Sequence, residues 1–156
     1  STEIELGIEN FMLSLGTLLG VIDSDPKFSL MPPFVRYLSE VAFIQIGDAS
    51  ITGVPGELYP EIAVGGIENP IGADYVMAPQ EVPHLRSQFT KKLNLMVNLA
   101  NDAIGYIIPK SEWDEDAPWI YGENEETYGE VVSLGPNTAP IIHENLVKLI
   151  EESKNK

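Results

Sequence analysis

Two segments of this chain carry residues whose type and placement suit chemistry. They are Ile51-Thr52-Gly53-Val54-Pro55-Gly56-Glu57 and Asn101-Asp102-Ala103-Ile104-Gly105-Tyr106-Ile107-Ile108-Pro109. The first delivers a carboxylate just past a strand end, and the second sets a phenol at another strand-to-loop junction. Together they could supply half of a zinc site, because zinc accepts carboxylate oxygen at roughly 2.0–2.2 Å and a catalytic site keeps one position for water. The other half calls for two imidazoles. Only His84 and His143 exist, and neither sits in a ligand-like motif. Each candidate also has a plainer explanation. A glutamate in the first turn of a helix gains about 0.3–1 kcal/mol from the helix dipole, and a half-buried tyrosine is ordinary packing.

These side chains need elements to position them. Ile4, Ile8, Phe11, Met12, Leu15, Leu18, Leu19 and Ile22 recur at helical spacing, and Thr2 with Glu5 forms a capping box. This predicts a long N-terminal helix from Glu3, ended by Asp23-Ser24-Asp25-Pro26. Two alternating runs follow, Glu40 to Ile46 and Ala49 to Val54, joined by Gly47-Asp48 as a tight hairpin turn. Apolar residues on both faces of the first run predict a strand covered on both sides. Gly56 turns the backbone into a short helix from about Glu57 to Val64, and Gly65-Gly66 stop it.

Residues 67 to 89 read as a long ordered loop. Loops of this length usually carry function or cover something. Leu93, Leu95, Val97 and Leu99 alternate as a third strand, and 114 to 130 is an acidic, aromatic excursion. A final helix is capped at Asn137 or Thr138, with Ile141, Ile142, Leu146, Leu149 and Ile150 on its apolar face. The expected architecture is an α/β fold, with α+β as the alternative. It would have a mixed sheet of at least three strands flanked by the terminal helices.

Composition limits the function classes. The chain has 156 residues, 44% of them hydrophobic, enough to bury one core of its own. Residues 1–156 are expected to form a single domain. A net charge of −15 and a pI near 4.3 argue against nucleic acid, which requires a basic face, and against anionic membrane surfaces. A divalent cation or a neutral substrate suits this charge better, and a solvated acidic surface accounts for much of it. Without cysteine there is no disulfide or thiolate chemistry. No apolar run reaches the roughly 18–20 residues that span a bilayer, and no basic-then-apolar signal segment opens the chain. A soluble chain is expected. The start at Ser1 reads as a processed product, a trimmed chain or a fragment.

The order of motifs adds a resemblance. Gly-Asp with an alternating strand, Pro55-Gly56-Glu57, a helix, a further strand, then Asn101-x-x-x-x-Tyr106-Ile107 resembles the neutral/alkaline non-lysosomal ceramidase family. Tyr128-Gly129-Glu130 and Gly135-Pro136-Asn137-Thr138 continue it, so that it covers roughly residues 40 to 150, the later part of that family's catalytic domain. In that family two histidines, a glutamate and a tyrosine hold a catalytic zinc. The resemblance implies that Glu57 and Tyr106 are the zinc ligands here, and that an amide bond is hydrolysed by metal-activated water. It further implies that a missing N-terminal segment or a partner chain supplies the histidines, and that a β edge or apolar patch is exposed where it docks. The chain departs from the family at Ile108-Pro109, where a threonine pair is usual, and at Leu58-Tyr59-Pro60-Glu61-Ile62, where an arginine-rich segment is usual. A lipid-like or other amide is the implied substrate. His84, on the long loop, could face the site and is the third candidate ligand. The alternative is a non-catalytic binding or assembly domain without the metal, and a homo-oligomer fits either case.

Other groupings are open to two readings. Asp114, Glu115 and Asp116, or Glu123, Glu125 and Glu126, offer oxygen ligands for calcium but lack EF-hand spacing, and solvated charge explains them as well. Trp113, Trp119, Tyr121 and Tyr128 line a groove or pack beneath a loop.

Overall fold

The computed structural model describes residues 1–21, 27–28, 30–33 and 35–154. The N-terminal segment corrects the first expectation, because Thr2–Ile8 is a strand, β1, rather than the start of a helix. Ile4 and Ile8 satisfy a helical spacing of four, but with Leu6 they also satisfy alternation. All three are buried, while Glu3 and Glu5 point outward. The longest strand, β3 (Val35–Ile46), settles the choice by pairing antiparallel with all seven residues of β1. A helix does follow, α1 (Phe11–Leu18). Its N-cap is Asn10, whose side chain accepts the N–H groups of Met12 and Leu13. The expected helix end, Ile22 through Pro26, lies outside the described residues.

A short β2 (Lys27–Phe28) pairs with the start of β3. The second half of β3 pairs antiparallel with β4 (Ala49–Gly53) through the predicted Gly47-Asp48 turn, where Gly47 has φ 57°. Strand β6 (Leu93–Val97) lies parallel to β4, giving the order β1-β3-β4-β6. The connection between β4 and β6 contains β5 (Glu57–Leu58), α2 (Pro60–Val64) and a 3-10 turn over Leu85–Gln88. Glu57 is thus a strand residue, and α2 begins only at Pro60, whose fixed φ and missing N–H suit a first helical position. Gly65 and Gly66 end α2 at φ 90° and 103°. Strand β7 (Tyr106–Ile107) pairs parallel with β5 in a separate small sheet. The chain closes with α3 (Tyr128–Val131) and α4 (Thr138–Ser153). The fold is α/β, with antiparallel and parallel strands in one sheet.

The core forms where α4 lies on β1 and β3. Ala139, Ile142 and Leu146 of α4 meet Ile4, Leu6, Ile8, Val35 and Val41. Burying each such side chain contributes about 1.5–3 kcal/mol. On the other face of the sheet, the expectation that the 40–46 strand is covered on both sides fails. Ile44, Ile46, Leu93 and Leu95 are all exposed there, Ile46 at 66% and Leu93 at 68%. The pairings Ile44↔Ile51, Ile46↔Ala49, Ala49↔Leu93 and Ile51↔Leu95 align them in one continuous aliphatic face. The face toward α4 at this end mixes Gln45, Ser50, Thr52 and Asn94 with Phe43 and Met96, and Ser50 donates to Asn94 at 2.6 Å. Among the described residues no helix is long and apolar enough to cross a membrane.

Candidate functional site

Two glycines set the geometry of the site. Gly56 precedes Glu57 and Gly105 precedes Tyr106. A Cβ on Gly56 would run into the carbonyl oxygen of Gly105, and one on Gly105 would run into that of Val132. Gly105 also holds φ at 86°, which side-chain-bearing residues rarely adopt. The two chain segments can therefore touch backbone to backbone. The Glu57 N–H donates to the Gly105 carbonyl at 2.9 Å, and the Tyr59 N–H donates to the Ile107 carbonyl at 3.1 Å.

The consequence is that Glu57 and Tyr106, 49 positions apart in sequence, become direct register partners. Parallel partners on neighbouring strands project their side chains to the same face. The Glu57 charge, then burial, then a hydrogen bond donated to the Glu57 carboxylate hold the Tyr106 phenol above its ordinary pKa. Both residues follow the carboxyl ends of the parallel strands β4 and β6, the edge of a sheet where ligands of open α/β folds bind.

Tyr106 is flanked by two more phenols. Its ring meets Tyr59 edge-on at 6.1 Å and Tyr128 edge-on at 6.0 Å. Beyond them opens a cavity of about 540 Å3 whose lining includes Tyr59, Tyr128, Glu61, Glu112 and Glu130. Burial, then the charges of Glu130, Glu112 and Glu61, push the Tyr59 phenol up to about 12. Burial pushes the Glu130 carboxyl up to about 7. A second cavity, of about 400 Å3, lies on the other side of Gly105 and is lined by Ile8, Leu13, Ile104, Val132 and Leu134. At its wall Asp102 accepts hydrogen bonds from the Tyr37 hydroxyl at 3.1 Å and the Ser39 hydroxyl at 3.0 Å.

The remaining candidates have structural duties. His84 caps the 3-10 turn after the long loop, where its Nδ1 lies 3.3 Å from both the Ala63 carbonyl and the Ser87 N–H. Its ring packs against Gly65. No contact joins it to Glu57 or Tyr106 among the described residues. His143 is buried on α4, with Nε2 2.9 Å from the Pro83 carbonyl, and so ties that helix to the long loop. Asp114 is fully buried and accepts the Ile120 N–H at 2.9 Å, which staples the acidic excursion. Trp113 is wholly buried beneath that loop. Asn137 stands at the start of α4 as expected, but its side chain accepts from the Lys110 ammonium at 2.6 Å and donates to Glu9 at 2.8 Å. Among the described residues no group of three or more His, Cys, Asp or Glu converges to hold a metal ion.

Fold and site define an α/β protein with a carboxylate–phenol pair at the carboxyl ends of two parallel strands. No protein-family model matches the chain, and no curated protein or solved structure matches it.

Proposed function

We propose that this chain is the C-terminal portion of a zinc-dependent amide hydrolase resembling the neutral ceramidases. Glu57 and Tyr106 hold the metal in this reading, and histidines come from a further segment or a partner chain. The observation that carries it is the pairing of Glu57 with Tyr106, two residues singled out by different motifs and brought together by β5 and β7. The donor set fits half of such a centre, since a carboxylate and a phenol on one strand face offer two oxygen donors side by side. A zinc ion there would supply a Lewis acid for an amide carbonyl and lower the pKa of water to about 7. At neutral pH the Tyr106 phenol keeps its proton. The apolar cavity beside Gly105 suits the hydrocarbon part of a lipid-like amide.

The histidine-bearing partner would dock on the aliphatic face of β3, β4 and β6. Of these strands β4 runs on toward Glu57, and contiguous exposed apolar surface marks an interaction site. The same open face favours the second reading, an assembly domain that pairs with a partner or another copy without metal.

Zinc content after dialysis against zinc, measured by mass spectrometry, separates the two. The metal reading expects bound zinc in the wild type and its loss in Glu57→Ala and in Tyr106→Phe. Equal zinc in all three proteins would remove the support for it, and none in the wild type would mean that the ion needs the histidine-bearing segment.

A further inference from the structure

We propose that the cavity beyond Tyr59 and Tyr128 is a binding site for a linear polyamine, an aliphatic chain carrying several ammonium groups. The cavity has about 540 Å3, within the range of small-molecule sites, and is lined chiefly by tyrosines and glutamates. Its charge is unmatched. The ion pairs among the described residues join Arg36 to Glu5, Lys92 to Asp48 and Lys154 to Glu151, and none reaches the cavity. Lys110 is turned away toward Asn137 and the Tyr75 ring.

Buried acceptor capacity in the cavity is left open. Glu112 is only 8% exposed, and its Oε1 accepts the Glu68 N–H at 2.7 Å. Glu112 also lines the cavity. Glu61 Oε2 is buried without a partner, and Glu130, 2% exposed, accepts from the Thr127 hydroxyl. Buried carboxylate oxygens without donors are costly, and a cationic N–H donor is their natural complement. Burial, then the charges of Glu61, Glu68 and Glu81, raises the Glu112 carboxyl, and burial, then those of Asp114, Glu126 and Asp74, raises the Glu130 carboxyl.

The kind of cation follows from the spacing. The carboxylates surround the cavity without converging, so a single metal ion would lack its ligand shell. Several ammonium groups separated by methylenes meet dispersed carboxylates instead. Tyrosine rings supply the matching surface, since their faces attract ammonium and pack against methylenes. Tyr121 and Tyr128 leave theirs largely open at the rim, and Tyr121 is oriented by donating to Glu68 at 3.1 Å.

The test is calorimetric titration of chelator-treated protein with spermine at physiological ionic strength, beside hexaamminecobalt(III) as a compact polycation. One spermine is expected to bind, more tightly than hexaamminecobalt. Glu112→Gln keeps the oxygen that accepts from Glu68 and should weaken spermine about tenfold. Tyr128→Leu, at a 70% exposed position that tolerates substitution, should also weaken it, with the melting temperature unchanged. Absence of spermine binding would overturn the proposal. Equal affinity for the two polycations, or affinity unchanged in both variants, would reduce the effect to general attraction by an acidic surface and overturn it too. The titration needs no zinc, so its failure leaves the Glu57–Tyr106 reading untouched, and the converse also holds.

Discussion

The two halves of the outer sheet face differ in what they ask of their surroundings. At the β1 end that face is mainly charged, with Glu3, Glu5, Arg36 and Glu40 around a single exposed Leu38, and Glu5 and Arg36 paired at 2.9 Å. Water satisfies such a surface, and the core is complete on the other side beneath α4. At the β6 end the same face carries Ile44, Ile46, Ile51, Leu93 and Leu95, and nothing among the described residues covers Ile46 or Leu93. The first half has its stability in its own contacts. The second half presents an apolar layer, and of its strands β4 runs on toward Glu57. The core at the β1 end also reaches the candidate site, since Ile8 and Tyr37 share a cavity with Gly105.

The largest expected effect tests this division. Leu146→Ala should cost about 2–5 kcal/mol, because Leu146 is fully buried between α4 and the sheet. Leu95→Ala, on the open face, should stay within about 0.5 kcal/mol. Urea unfolding of the two variants measures both. Equal losses would mean that the open face is covered in solution.

Gly105→Ala comes next. The positive φ alone should cost roughly 1–3 kcal/mol, and the new methyl would press on the Val132 carbonyl. The β5–β7 pairing should loosen with it, seen as faster amide exchange at Glu57 and Tyr59 and unchanged exchange in β1. If β1 loosens equally, the two ends of the sheet are not independent.

A smaller effect follows from Glu130. Its folded pKa, about 7, lies above the ordinary value of 4.5, so the folded state holds this proton more tightly than the unfolded one. The stabilisation is fully present below about pH 4.5 and is lost as pH rises toward 7. Solvent at the cavity mouth screens part of it, leaving on the order of 1–2 kcal/mol. Urea midpoints from pH 4.5 to 7.5 should fall less steeply in Glu130→Gln than in the wild type. Parallel profiles would place the titrating group elsewhere.

The sequence was most readable where periodicity had one solution. The Gly47-Asp48 hairpin, the strand at 93–97 and the helix starting at Thr138 stand as expected. The N-terminal segment misled because Ile4 and Ile8 serve both periods, and only the long-range partner β3 decides between them. Glu57 and Tyr106 were singled out by their place past strand ends and by motif order. Their register was not, because it depends on a backbone approach across 49 residues. Tyr59, Glu61 and Glu112 gave no signal as a group, since they lie on separate turns that only tertiary packing joins. The aromatic and acidic content of 114–130 was open to a groove or a packed loop, and Asp114 turns inward to the Ile120 N–H.

The smallest predicted change is spectroscopic. Removing the Glu57 charge in Glu57→Gln should lower the Tyr106 phenol pKa toward the ordinary tyrosine value. Ultraviolet titration read against Tyr106→Phe isolates that phenol.

The most direct test of the central claim is a double-mutant cycle on zinc affinity with Glu57→Gln, Tyr106→Phe and the double variant. If the two side chains hold one ion, each single change weakens zinc and the double variant is little worse than the poorer single. Independent, additive losses, or unchanged affinity in all three variants, would contradict a shared metal site at the ends of β4 and β6.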